Sequence, residues 1–183
     1  MTGYIRNIVN NTNVTSQATL IRGATILSMD ESVGNIEHGD ILIKGSTIAA
    51  VGQNLDVPGV HVINASNMIA MPGMVDSHRH AWEGQLRRIN PNATCLDDYS
   101  NATHFSFAKY YRPADIYVGN LLTALGAIDA GITTMIDNSH NSRTSAHADA
   151  AVEALLDSGI RAIHASRAPV AGECDKAHWL GNR

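Results

Sequence analysis

"MPGMVDSHRHAW", residues 71–82, is the stretch on which the reading of this chain turns. A proline-glycine turn leads into a short apolar run that ends in two histidines flanking an arginine. On an extended strand, residues two apart point to the same face and lie roughly 6.6 Å apart along the chain. His78 and His80 can therefore converge on one ion while Arg79 faces away and Asp76 falls on their side. Imidazole nitrogen suits zinc and iron alike, so the spacing does not name the metal. Two ligands are too few for a catalytic centre, which takes three or more protein groups and keeps a position open for water.

Working outward, the residues after the motif change rhythm. "PADIYVGNLLTALGAIDAG" places apolar residues at helical spacing (Ile116, Val118, Leu121, Leu122, Leu125, Ile128), with Pro113 near its start and Gly131 just past its end. "ITTMIDNSH" reads as a strand, "SAHADAAVEALLDSG" as a second helix closed by Gly159, and "IRAIHASRAPV" as a third strand. The order β-α-β-α-β implies parallel pairing through helical crossovers, a fold of the α/β class. In such sheets chemistry gathers beyond the carboxyl ends of the strands. Those ends carry His78 and His80, then Asp137 to His140, then His164, which makes His140 and His164 candidates for lining a pocket. Before the motif, "ATLIRGATILSMD", "GDILIKGSTIAAVG" and "HVINASNMIAMPG" read as three or four short strands of a small antiparallel unit.

Composition narrows the function classes. Among the 183 residues, 44% are hydrophobic and 16% charged, and no apolar run approaches the roughly 18 residues a membrane span needs. The net charge of -4, with 13 scattered basic residues, argues against a nucleic-acid partner and for a small-molecule substrate. Cys95 and Cys174, far apart, build neither a disulfide framework nor a metal knuckle, and the polar start lacks a secretion signal; both point to a cytoplasmic protein. The N-x-[ST] triplets, such as those at Asn10 and Asn13, are then chance matches. "GECDKAH" offers Cys174, Asp175 and His178, without the distant orienting partners that nucleophilic catalysis uses.

With the strand-end histidines in this context, the chain resembles the amidohydrolase superfamily, and within it the branch of cytosine deaminases and triazine hydrolases (chlorohydrolases). Members open with a small β-sandwich segment and enter a TIM (β/α)8 barrel through P-G-x-[VI]-[DN]-x-H-x-H. "ALGAIDAGITTMIDNS" and "LLDSGIRAI" are similar to the family's next helix-strand units. The resemblance divides the chain into a polar tail over 1–17, a β-sandwich segment over 18–67, and a partial barrel with strands one to three over 68–183. It implies that His78 and His80 hold one divalent metal, zinc or iron, and that Asp76 supports them by hydrogen bonding. It further implies that Trp82 and Gln85, on the loop where relatives contact substrate, join His140 and His164 around the substrate. Arg88 stands where many relatives have glycine, so that loop is expected to differ. The reaction implied is hydrolysis or deamination of a cyclic amidine or amide, such as an aminopyrimidine, purine or triazine, by metal-activated water.

A barrel of this kind takes eight βα units and about 250 residues. The family's remaining metal ligands and its general acid/base belong to later strands, so no catalytic residue is assigned within this chain. The expected partner is accordingly the rest of the barrel, as a second fragment or chain, with a homo-oligomer left open. The alternative from a different class is a catalytically dead fragment that serves as a ligand-binding or assembly module.

Overall fold

The computed structural model describes residues 18–170 and Gly172. The stretch 1–17 and the residues Cys174, Asp175 and His178 lie outside the described residues. The chain divides into two compact units that meet between Pro72 and Gly73.

The first unit is a five-stranded sheet. Its strands are β1 (Thr19–Leu27), β2 (Asn35–Lys44), β3 (Thr47–Gly52), β4 (His61–Asn64) and β5 (Ile69–Ala70), in the order β3-β2-β1-β4 with β5 also on β1. β1-β2 and β2-β3 pair antiparallel, as the alternating pattern and the Gly45-Ser46 turn predict. β4 and β5 instead pair parallel to β1, so the sheet is mixed where an antiparallel unit was expected. The cause is the connection: β3 already runs with β1, and residues 53–60 carry the chain across the sheet before β4 begins. Gly23, at a positive φ of 80°, sits in the register shift of β1 and leaves its N–H outside the ladder. Buried Asp40 takes that N–H at 2.9 Å on one carboxylate oxygen and the Leu55 N–H at 2.9 Å on the other. One carboxylate thus joins the bulge to the crossing loop, and Ala24, Ile26 and Ala65 close the core beside it.

The second unit holds β6 (Met74–Arg79), a 3-10 helix (Ala81–Leu86), α1 (Leu96–Ala102), α2 (Pro113–Asp129), β7 (Ile132–Ser139), α3 (Ser145–Ser158) and β8 (Arg161–Ser166). The sheet order is β6-β7-β8, all parallel. α2 starts at Pro113, where a missing N–H costs nothing, and Asp115 accepts the Arg112 N–H at 2.8 Å. α3 ends at Gly159, whose φ of 76° gives the left-handed cap. Met135, Ala124, Ala127, Leu155 and Ile160 form the core between sheet and helices.

The buried face of α2 is not the stripe of large apolar residues. Ile116, Gly119, Asn120, Ala124 and Ala127 face inward, whereas Val118, Leu122, Leu125 and Ile128 are exposed. The 3-10 helix lies so close that a Cβ on Gly119 would stand 2.3 Å from the Trp82 carbonyl oxygen, and one on Gly84 2.4 Å from that of Gly119. Thr123 Oγ1 donates to the Ala81 carbonyl at 2.8 Å across the same contact. Small residues are required on this side, and this close approach sets the start of the 3-10 helix against α2. No helix among the described residues is long and apolar enough to cross a membrane.

Candidate functional site

β6 delivers His78 and His80 to the carboxyl end of the second unit's sheet. The expected alternation is interrupted there: the β6-β7 register shifts between Asp76 and Arg79. Arg79 does not face away but turns onto Asp76, donating Nε to Oδ2 at 2.7 Å, while Asp76 Oδ1 accepts the His78 N–H at 3.2 Å. Asp76 therefore braces the backbone of His78 rather than its ring.

His80 leaves the strand, and its carbonyl accepts the Glu83 N–H at 3.1 Å to open the 3-10 helix. Its ring lies 4.9 Å from that of His78, edge to face. His80 Nδ1 meets the Asn138 carbonyl at 2.7 Å. A carbonyl only accepts, so Nδ1 carries the proton and Nε2 is left with a free lone pair, the arrangement in which metal-ligating histidines are found. His140, just past the end of β7, stacks its ring 3.9 Å from that of His80, and His104 approaches His140 at 4.5 Å. Glu83 accepts the Tyr99 hydroxyl proton, and candidate ligand atoms of Glu83, His104 and His140 all lie within 4.8 Å of one another. Four imidazoles and a carboxylate are thus gathered from β6, the 3-10 helix, the α1 loop and β7. An open cleft of about 680 Å³ borders His78, His80 and Glu83, lined also by Asp76 and, on the α2 flank, by Leu122 and Thr123.

Burial favours the neutral forms of His104, His140 and Glu83. Burial, then the neighbouring His80 and His104, lowers His140 to about 3, and burial and His80 lower His104 as well. Burial raises the Glu83 carboxyl, and burial and Glu83 together raise the Tyr99 phenol. A stability effect follows. Unfolded His140 takes up a proton near its ordinary 6.5 whereas the folded ring resists until about 3, so stability falls as pH drops through that window. His104 adds in the same sense, and Glu83, which burial raises above its ordinary 4.5, opposes it as the folded carboxyl takes up its proton. Urea midpoints recorded from neutral pH down to about 5, above the range where ordinary carboxylates titrate, are expected to fall less steeply in His140→Gln than in the unsubstituted chain.

The other sequence candidates are placed differently. Trp82 is fully buried, packed on Ala108, Ile116 and Ala151 with Tyr111 edge-on at 5.1 Å, and its indole N–H donates to His140 Nδ1 at 3.1 Å. Gln85 turns to α2, donating to the Asp115 carbonyl at 2.6 Å. His164 shares the helix-covered face of the sheet with Met135 and Ala162 and donates Nδ1–H to Asp137 at 2.8 Å. Glu83 and His104 were not anticipated. Glu83 could have been found three residues after His80, on the turn that histidine opens, whereas nothing in "ATHFSF" marks His104, which an irregular loop brings in.

No family model matches the chain. It is 32% identical, over 65% of its own length and 28% of the relative's, to a 5-methylthioadenosine/S-adenosylhomocysteine deaminase of Syntrophus aciditrophicus. A 5'-deoxyadenosine deaminase of Methanosarcina acetivorans is 27% identical over 78% of this chain and 32% of its own length. Among solved structures, a mutant of the atrazine chlorohydrolase TrzN from Arthrobacter aurescens, complexed with zinc and atraton, superposes with a TM-score of 0.70. It is 31% identical and matched over 80% of this chain and 35% of its own. An amidohydrolase from a Sargasso Sea sample, 18% identical with a TM-score of 0.67, shares the fold. The chain spans about a third of the length of the relatives it matches. The PG-to-HxH strand, the parallel β6-β7-β8 sheet with its helical crossovers and these likenesses agree: the chain belongs to the amidohydrolase superfamily, of which it spans an N-terminal part, a β-sandwich segment and the first three strands of the TIM barrel.

Proposed function

We propose that the chain forms the metal-binding entrance of a hydrolase that removes an amino or other leaving group from a ring carbon of a planar nitrogen heterocycle, an aminopyrimidine, purine or triazine. The observation that carries this is the pair His78 and His80, with His80 Nδ1 committed to the Asn138 carbonyl and Nε2 free for an ion. Zinc is the metal favoured, since a zinc-complexed chlorohydrolase is among the structures this fold matches. Lewis acidity from that ion, when bound, makes water a competent nucleophile near neutral pH. His78 and His80 would hold it; Asn138 fixes the His80 imidazole and Asp76 braces the backbone of His78. Of the substrate contacts expected from the sequence, His140 is retained; Trp82, Gln85 and His164 stand behind the site, their polar groups committed to His140, Asp115 and Asp137.

Two imidazoles do not complete a catalytic ligand set, and the remaining ligands and the acid/base group are assigned to a barrel remainder outside the described residues. The test is zinc content together with ammonia release from 5'-methylthioadenosine, an aminopyrimidine and an aminotriazine. The chain by itself is expected to hold zinc substoichiometrically and release no ammonia, and to gain both when assembled with a complementary barrel segment. Stoichiometric zinc and turnover by the chain alone would overturn the incomplete-site reading. Stable assembly that ignores chelators and holds no zinc would favour an assembly module, to which the outer edges of β6 and β8, unpaired among the described residues, are also suited.

A further inference from the structure

Glu83, His104 and His140 lie close enough together to hold an ion of their own, immediately beside the His78 and His80 pair. The hydrogen bonds decide against His140 in that role. An indole N–H is a donor only. His140 Nδ1, receiving it from Trp82 at 3.1 Å, must therefore present a lone pair, which places the single proton of the neutral ring on Nε2. His80, 3.9 Å away, is the reverse, because the Asn138 carbonyl that it meets can only accept. Neighbouring rings thus carry opposite tautomers: His80 offers a bare Nε2, His140 an Nε2–H.

We infer that Trp82 is a positioning residue that holds His140 as an Nε2–H tautomer, so that His140 serves the site as a hydrogen-bond donor and not as a metal ligand. For His140 to ligate through Nε2, the ring would have to lose its last proton or give up the indole. The indole is poorly placed to yield: Trp82 is 0% exposed, Tyr111 stands against it, and the Gly84–Gly119 contact pins the helix that carries it. The inference rests on the proposal that His78 and His80 hold the ion, because that ion makes a neighbouring donor useful. The group such a donor recognises is an atom with an in-plane lone pair, a ring nitrogen or carbonyl oxygen of a planar heterocycle.

The experiment is nitrogen-15 histidine labelling of the chain with long-range proton–nitrogen correlation, metal-free and at mildly alkaline pH, with His140→Gln assigning the His140 signals by their loss. His140 is expected in a single Nε2–H form and His80 as Nδ1–H. Trp82→Phe, which keeps the aromatic bulk and deletes the N–H, is expected to turn the His140 signals into a tautomer mixture. On adding zinc, the His78 and His80 nitrogens should shift while the His140 Nε2–H pattern persists. An Nδ1–H form of His140 in the unsubstituted chain, or loss of its Nε2 proton on zinc addition, would overturn the inference. Should Trp82→Phe fail to fold, those two measurements still decide it. Absence of any response to excess zinc at His78 and His80 in the protein assembled with its complementary barrel segment would sink the metal proposal, a failure distinguishable from a wrong tautomer at His140.

Discussion

Replacing His78 and His80 together with alanine is expected to lower the zinc affinity of the assembled protein by well over 100-fold and to abolish its hydrolysis, while changing the unfolding free energy by only about 1 kcal/mol. The asymmetry comes from where the two side chains sit. His78 is exposed and His80 half-buried, and among the described residues the one side-chain hydrogen bond lost with them is that from His80 Nδ1 to the Asn138 carbonyl. A single intramolecular hydrogen bond is worth about 1 kcal/mol net. Metal affinity responds on another scale: removing even the partners that orient a ligand costs roughly 10–100-fold, and here the ligands themselves go. Zinc uptake followed by a competing chromophoric chelator, beside urea unfolding of the same samples, separates the two quantities. Zinc affinity within threefold of the unsubstituted protein would remove this pair from the metal site. Intact assembly with loss of zinc would show that the histidines serve chemistry and not association.

How much of this was legible in the sequence depends on whether a feature is local. The HxH strand, both long helices and β7 and β8 follow from short-range patterning: Pro113, Gly131 and Gly159 punctuate them where the helices end. Parallel pairing of β4 and β5 with β1 was not legible, because it depends on which way residues 53–60 cross the sheet. The packing of α2 misled for a related reason. Its large apolar residues gave the helical period, but a close approach to the 3-10 helix selects glycine and alanine, and those carry little pattern. At the site, His78, His80 and His140 were found by their strand-end positions. Glu83 and His104 were not, since they reach the cluster through a turn and an irregular loop whose paths no periodicity encodes. Trp82, expected on the substrate loop, packs its rings in the core and turns its polar atom to His140, a contact between residues 58 apart that no local pattern encodes.

The second large effect is expected at a residue that no motif singles out. Asp137 is 0% exposed, and its two oxygens accept from groups on either side: the Ala81 N–H at 3.1 Å on Oδ1 and His164 Nδ1 at 2.8 Å on Oδ2. Asp137→Ala leaves both donors without acceptors, at about 1–3 kcal/mol each, so a loss of about 2–6 kcal/mol in urea unfolding is expected. Asp137→Asn should cost less but not nothing. The amide can keep one oxygen for Ala81, and His164 would then have to accept from the amide N–H₂ at Nδ1 and move its own proton to Nε2. That nitrogen is buried with no partner among the described residues, so the exchange trades an unsatisfied lone pair for an unsatisfied N–H. The consequence reaches the site because Ala81 begins the 3-10 helix that carries Trp82 and Glu83 directly after His80. Loosening its first N–H in Asp137→Ala should therefore blur the single His140 tautomer under conditions where that variant remains folded, whereas Asp137→Asn, which keeps the acceptor for Ala81, should leave it sharp. A cost below about 1 kcal/mol for Asp137→Ala, or an unchanged His140 signal in folded Asp137→Ala, would show that the strand end and the helix start are not coupled through this carboxylate.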